Sequence, residues 1–119
     1  MKLNKRSMIL ESLKSIKEVT KTFTIKDLAN FVAGILTKYG GTKPEVQTAS
    51  QEKDDFLIQI KYTSAKEIDK SVTDKISNEI VSKFPNLPIS SVGGGLGVDV
   101  IDQKPMVKGG FLVDLEIYN

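Results

Sequence analysis

At 119 residues, 39% hydrophobic and 27% charged, the chain has the length and balance of one globular domain, 1–119, with a packed core. It contains neither cysteine nor histidine. That removes disulfides, thiolate chemistry, the commonest general base and the commonest transition-metal ligand together, so no cofactor or metal is expected and the chain is read as a non-enzyme. The formal net charge of +2 hides an asymmetry: residues 1–26 hold seven basic and two acidic side chains (+5), the remainder ten lysines against thirteen carboxylates (−3).

The apolar run Met8-Ile9-Leu10 is broken at Glu11, and no stretch approaches the roughly 20 apolar residues of a membrane helix. The expectation is a soluble, cytoplasmic protein (or one incorporated into a virion) with no membrane partner. The spacing predicts a first helix over 7–20, with Ser7 as N-cap. Met8, Ile9, Ser12, Leu13, Ile16 and Val19 gather on one side. Arg6, Lys14, Lys17 and Lys21 form an adjacent basic edge, a candidate contact for a phosphate backbone or an acidic partner. Arg6 is the sole arginine, which argues against sequence-specific DNA reading, a task suited to the bidentate guanidinium fork.

A second helix starts at Thr24, a good N-cap with Asp27 at the third helical position. Phe23 and Leu28 are placed as a hydrophobic staple. Leu28, Phe31, Val32, Ile35, Leu36 and Tyr39 make its apolar face, and Gly40-Gly41 ends it. Residues 42–54 read as a polar loop with a short edge strand at Glu45–Thr48. Asp55–Thr63 alternates as a strand, with Phe56, Ile58, Ile60 and Tyr62 inward. Ser64 and Glu67 have capping-box spacing and predict a third helix to about Phe84, stopped by Pro85, with Ile68, Val72, Ile76, Ile80, Val81 and Phe84 inward.

The last third is β. Ile89–Val92 and Leu96–Asp102 read as two short strands or one strand bent at Gly93-Gly94-Gly95. Phe111–Tyr118 follows a turn at Gln103–Gly110, with Phe111, Val113, Leu115 and Ile117 inward. The fold class is α+β: two N-terminal helices, then a β-α-β-β unit forming a mixed sheet of three or four strands, with helices mainly on one face. Phe31, Ile35, Ile58, Ile60, Ile76, Ile80, Val98 and Val113 are expected in one core. Gln59, Lys61, Asp99, Asp114 and Glu116 are assigned to a wet outer face.

Four patterns bear on chemistry. The run Gly93-Gly94-Gly95-Leu96-Gly97 lacks the strand-then-helix context of a phosphate loop and reads as a bend or close backbone approach, with Lys104 and Lys108 placed nearby as possible anion contacts. Asp99, Asp114 and Glu116 on one sheet face would suit a hard cation, although plain alternation also puts carboxylates there. A serine hydrolase without histidine would need a Ser–Lys pair, and nothing distinguishes Ser64 and Lys66 from the other serines and lysines. Finally, Pro44-Glu45, followed by Gln59-Ile60-Lys61 on a strand ahead of a helix, resembles the restriction-endonuclease-like nucleases over about residues 25–84. Glu45 and Gln59 stand where that family carries Asp and a second acid. The resemblance implies Mg²⁺ held by Glu45 and Asp54 or Asp55, with Lys61 steadying the attacking water.

The leading functional expectation is a non-enzymatic binding or assembly subunit acting through protein–protein contact or self-association. Lysine-, isoleucine- and asparagine-heavy usage fits an AT-rich genome, and a phage or mobile-element structural protein suits it. Phe111, Leu112 and Tyr118 of the last strand, treated as an exposed edge free of proline and lysine, and Gly93, Gly94, Gly95 and Gly97 are the candidate interface. The alternatives are a non-specific nucleic-acid-binding protein using the basic edge, and a degenerate nuclease.

Overall fold

The computed structural model describes residues 23–119; the expected first helix, its Ser7 cap and its basic edge lie outside them. Helix α1 runs Ile25–Lys38. The Thr24 hydroxyl accepts from the Asp27 N–H at 3.1 Å, as an N-cap should, and Gly40 at φ +90° lets the chain turn off the helix. Leu28, Ala29, Val32, Ile35 and Leu36 form its buried stripe. Phe23 packs across the helix start onto Phe56 (5.5 Å between centroids) and, edge-on, onto Phe84 (6.2 Å).

The chain then makes a long hairpin, β1 (Gly41–Glu52) and β2 (Asp55–Ser64), joined by Lys53-Asp54. The polar loop expected at 42–54 is therefore mostly strand. Its irregularities explain why it did not read as one: Lys43 and Lys53 both adopt positive φ, and the pairing shifts register between Thr42 and Glu45 and between Val46 and Thr48. Strand β2 keeps the expected phase, with Phe56, Ile58, Ile60 and Tyr62 buried.

Helix α2 spans Lys70–Lys83 and begins later than the capping-box spacing predicts. Ser64 still belongs to β2, and its hydroxyl donates to the Lys66 carbonyl and accepts from the Lys66 N–H, locking a local turn. The cap is Asp69, whose carboxylate accepts from the Ser71 hydroxyl (2.7 Å), the Ser71 N–H (3.0 Å) and the Val72 N–H (3.3 Å). These bonds, the Ser71 hydroxyl first, hold the Asp69 carboxyl below its ordinary range. Asp69→Ala is expected to lower the urea midpoint and the helical circular-dichroism signal, whereas Asp69→Asn, which keeps a cap, is expected to retain both at neutral pH. Val81, assigned inward, is half exposed; Ile76 and Ile80 carry the contact. Glu79 accepts from Lys38 Nζ (2.8 Å) and the Tyr39 hydroxyl, tying the end of α1 to α2.

Residues 89–96 form no strand. Strands β3 (Gly97–Pro105) and β4 (Phe111–Tyr118) close the fold. The order is β1-β2-β4-β3, and every neighbouring pair is antiparallel, so the sheet is not mixed by adjacency. Strands β2 and β3 point the same way with β4 inserted between them, a split β-α-β arrangement. The expected edge role of the last strand is thereby overturned: β4 is hydrogen-bonded on both sides. The edges are β1, carrying Lys43 and Pro44, and β3, carrying Lys104, Pro105 and a bulge between Val100 and Asp102. Proline, lysine and bulges mark edges because they discourage further pairing.

Inward strand residues and both helices form one core including Leu28, Val32, Ile58, Ile60, Ile76, Ile80, Val113, Leu115 and Ile117; Phe31, Val98 and Phe111 pack on its rim. Both helices therefore cover the same face of the sheet. No described helix is long and apolar enough to cross a membrane.

Candidate functional site

Cross-strand partners share a face, so the register fixes what the side left uncovered by the described residues carries. Four rows run across it in the order β1, β2, β4, β3. They are Ser50–Leu57–Tyr118–Gly97, Thr48–Gln59–Glu116–Asp99, Glu45–Lys61–Asp114–Asp102 and Thr42–Thr63–Leu112–Lys104. The two middle rows hold all five carboxylates of these rows with Lys61. Adding Lys104 gives five acids against two lysines, a net −3 over these four rows.

Two features of this acidic face oppose folding. Asp99 lies directly across from Glu116, and Asp102 directly across from Asp114, in adjacent rows. Like charges placed opposite each other on neighbouring strands destabilise a sheet. Compensation is partial: Lys61 Nζ sits 3.9 Å from Asp114, Lys104 Nζ 3.6 Å from Asp102, and Gln59 Nε2 donates to Glu116 at 3.3 Å. The Tyr118 hydroxyl donates to Asp99, which pushes the tyrosine above its ordinary pKa. Glu116→Gln, which removes one repulsion and keeps a partner for Gln59, is expected to raise stability by about 0.2–1 kcal/mol at low salt, the gain shrinking as salt rises; paired urea titrations at two ionic strengths check both.

The sequence-assigned residues are dispersed by the fold. Tyr118 and Leu112 lie on the acidic face at opposite ends of β4, and Phe111 on the helix-covered side. The Tyr118 ring lies over Gly97, where a Cβ would collide with it; this close approach requires glycine. Gly93, at φ +85°, and Gly94 shape a loop held by Ser90, whose hydroxyl accepts from the Gly94 N–H at 2.8 Å. Asp55 grips the same loop, accepting from the Ser91 N–H and hydroxyl at 2.7 and 2.8 Å. Asn119 then links it to β2, donating to Pro88 and Asp54 carbonyls and accepting from the Phe56 N–H. Gly95 belongs to the same connection. The glycine segment thus serves loop closure.

Lys104 and Lys108 are not beside that loop. Gly97 and Lys104 are seven residues apart on β3, roughly 23 Å, so the lysines stand at the far end of the sheet. Arg6, Lys14, Lys17 and Lys21 lie outside the described residues. The nuclease-like set is not assembled either. Glu45 and Lys61 are cross-strand partners, but Asp55 is six residues along β2 from Lys61, about 20 Å, and is engaged by Ser91. Among the described residues no group of three or more acidic side chains is arranged to hold a metal ion. A recess of about 390 Å³ beside the start of α2 is lined by Tyr39, Lys66, Asp69 and Ser71. The Asp69 carboxylate already occupies the helix N–H groups that would draw an anion there.

What sequence reasoning missed is the concentration of charge. Period two places Asp99, Asp114 and Glu116 on one face, but Asp102 shares it only because the bulge after Val100 shifts the phase of β3. Nothing in the sequence locates that bulge. No protein-family model matches the chain, and comparison with curated proteins and with solved structures gives no match.

Proposed function

We propose that the chain is a non-enzymatic binding or assembly module whose contact surface is the acidic open face of the sheet and whose partner is a basic protein segment. The observation that carries this is the stacking of two opposed carboxylate pairs, Asp99/Glu116 and Asp102/Asp114, in adjacent rows of a face that no described helix covers. A cationic partner would relieve both repulsions, so the charge that costs stability in isolation favours association. Leu57, Leu112 and Tyr118 at the two ends of the face add apolar area around the polar middle. The same negative field disfavours a nucleic-acid backbone on this surface.

The test uses a labelled decalysine peptide and fluorescence anisotropy. Wild-type protein is expected to bind it, with affinity falling steeply as salt rises. Asp99→Lys/Glu116→Lys is expected to weaken binding about tenfold or more, since several exposed charge contacts are reversed together. Equal binding by the reversed protein would place the contact elsewhere and defeat the proposal.

A further inference from the structure

Resting on that reading, we infer that the basic segment received by the acidic face is residues 1–22 of a second copy of this chain. Charge and apolar pattern agree. Residues 1–22 carry six basic and two acidic side chains, net +4, against −3 over the four rows of the face. Met8, Ile9, Leu13, Ile16 and Val19 offer apolar groups beside Arg6, Lys14, Lys17 and Lys21, as Leu57, Leu112 and Tyr118 do beside the carboxylates.

Length agrees too. From Leu112 to Tyr118 the face extends six strand residues, about 20 Å. The 22 residues of the segment, at up to about 3.3 Å each, are long enough to lie along it.

A second copy is favoured over the same one by where the described chain begins. The Phe23 ring packs on Phe56 and Phe84, on the helix-covered side of the sheet. Lys21, two residues away, reaches at most about 7 Å from there and cannot round a sheet edge, so in the same copy only Arg6, Lys14 and Lys17 of the four have enough chain to meet the carboxylates. On a neighbouring copy all four basic residues are free to meet the carboxylates. The contact joins two different surfaces, so it is head-to-tail unless two copies exchange segments reciprocally.

The experiment measures the mass of full-length protein by sedimentation velocity at about 50 and 500 mM NaCl. Wild type is expected to associate at low salt and dissociate at high salt. Asp99→Lys/Glu116→Lys and Lys14→Glu/Lys17→Glu, each checked for unchanged circular dichroism, are both expected to be monomeric alone. Mixed one to one, they should associate again, because the unaltered segment of the first variant (+4) meets the unaltered face of the second (−3). A wild type that stays monomeric at low salt and high concentration overturns the inference, as does a Lys14→Glu/Lys17→Glu protein that associates normally. Decalysine binding separates the two failures. If the monomer still binds the peptide through Asp99 and Glu116, the surface stands and only its occupant is wrong; if it does not, the reading of the surface falls as well.

Discussion

Leu115→Ala is expected to destabilise the fold by about 2–5 kcal/mol, measured by urea denaturation. Leu115 is fully buried in β4, paired with Ile60 on one side and Val100 on the other. Removing its branched end leaves a cavity between two strand partners and the helices above, with little freedom to collapse. The prediction also discriminates between positions for the last strand. Val98→Ala on the true edge, β3, where the side chain is only partly buried, is expected to cost much less. Similar losses at the two positions would contradict an interior position for β4 and an edge position for β3.

The second large effect is expected at alkaline pH. Tyr62 is 2% exposed, its hydroxyl finds no hydrogen-bond partner among the described residues, and burial pushes its pKa up to about 12. In the unfolded chain a tyrosine ionises near about 10. Above that value the unfolded state loses a proton that the fold retains, so stability is full below about pH 10 and is lost as pH rises toward 12. The loss is about 2 kcal/mol over the window. Tyr39 and Tyr118 are raised by hydrogen bonds to Glu79 and Asp99 and act in the same direction. The diagnostic quantity is therefore the difference between wild type and Tyr62→Phe, determined from urea midpoints between pH 8 and 12. The variant is expected to match or exceed wild type at neutral pH, since it removes an unpaired buried hydroxyl, and to gain on it steadily above pH 10.

The core was legible in the sequence wherever a simple period ran undisturbed. The alternation of Phe56, Ile58, Ile60 and Tyr62 and of Val113, Leu115 and Ile117 marks the two central strands, and the stripe from Leu28 to Leu36 marks α1. The errors fell where a local device replaced the usual signal. Strand β1 has few apolar residues, and its hairpin turns through Lys53 in a left-handed conformation rather than through glycine or asparagine. The start of α2 was misplaced because Ser64-Ala65-Lys66-Glu67 has the spacing of a capping box, while β2 claims Ser64 and the Asp69 carboxylate supplies the cap. The absence of lysine and proline from Phe111–Tyr118 suggested an unprotected edge, yet it equally suits a strand paired on both sides that needs no protection. The acidic face was half legible: period two put Asp99, Asp114 and Glu116 together, and only the bulge in β3 added Asp102.

The contact surface itself is tested most directly by recording amide chemical shifts of isotope-labelled full-length protein during titration with decalysine. Shifts are expected at Gln59, Lys61, Asp99, Asp102, Asp114 and Glu116, in the two middle rows of the open face, and are expected to vanish in high salt. Helices α1 and α2 on the opposite side should stay unchanged. Shifts confined to the helices, or none at a peptide excess that saturates other acidic proteins, would contradict an acidic sheet face as the binding surface.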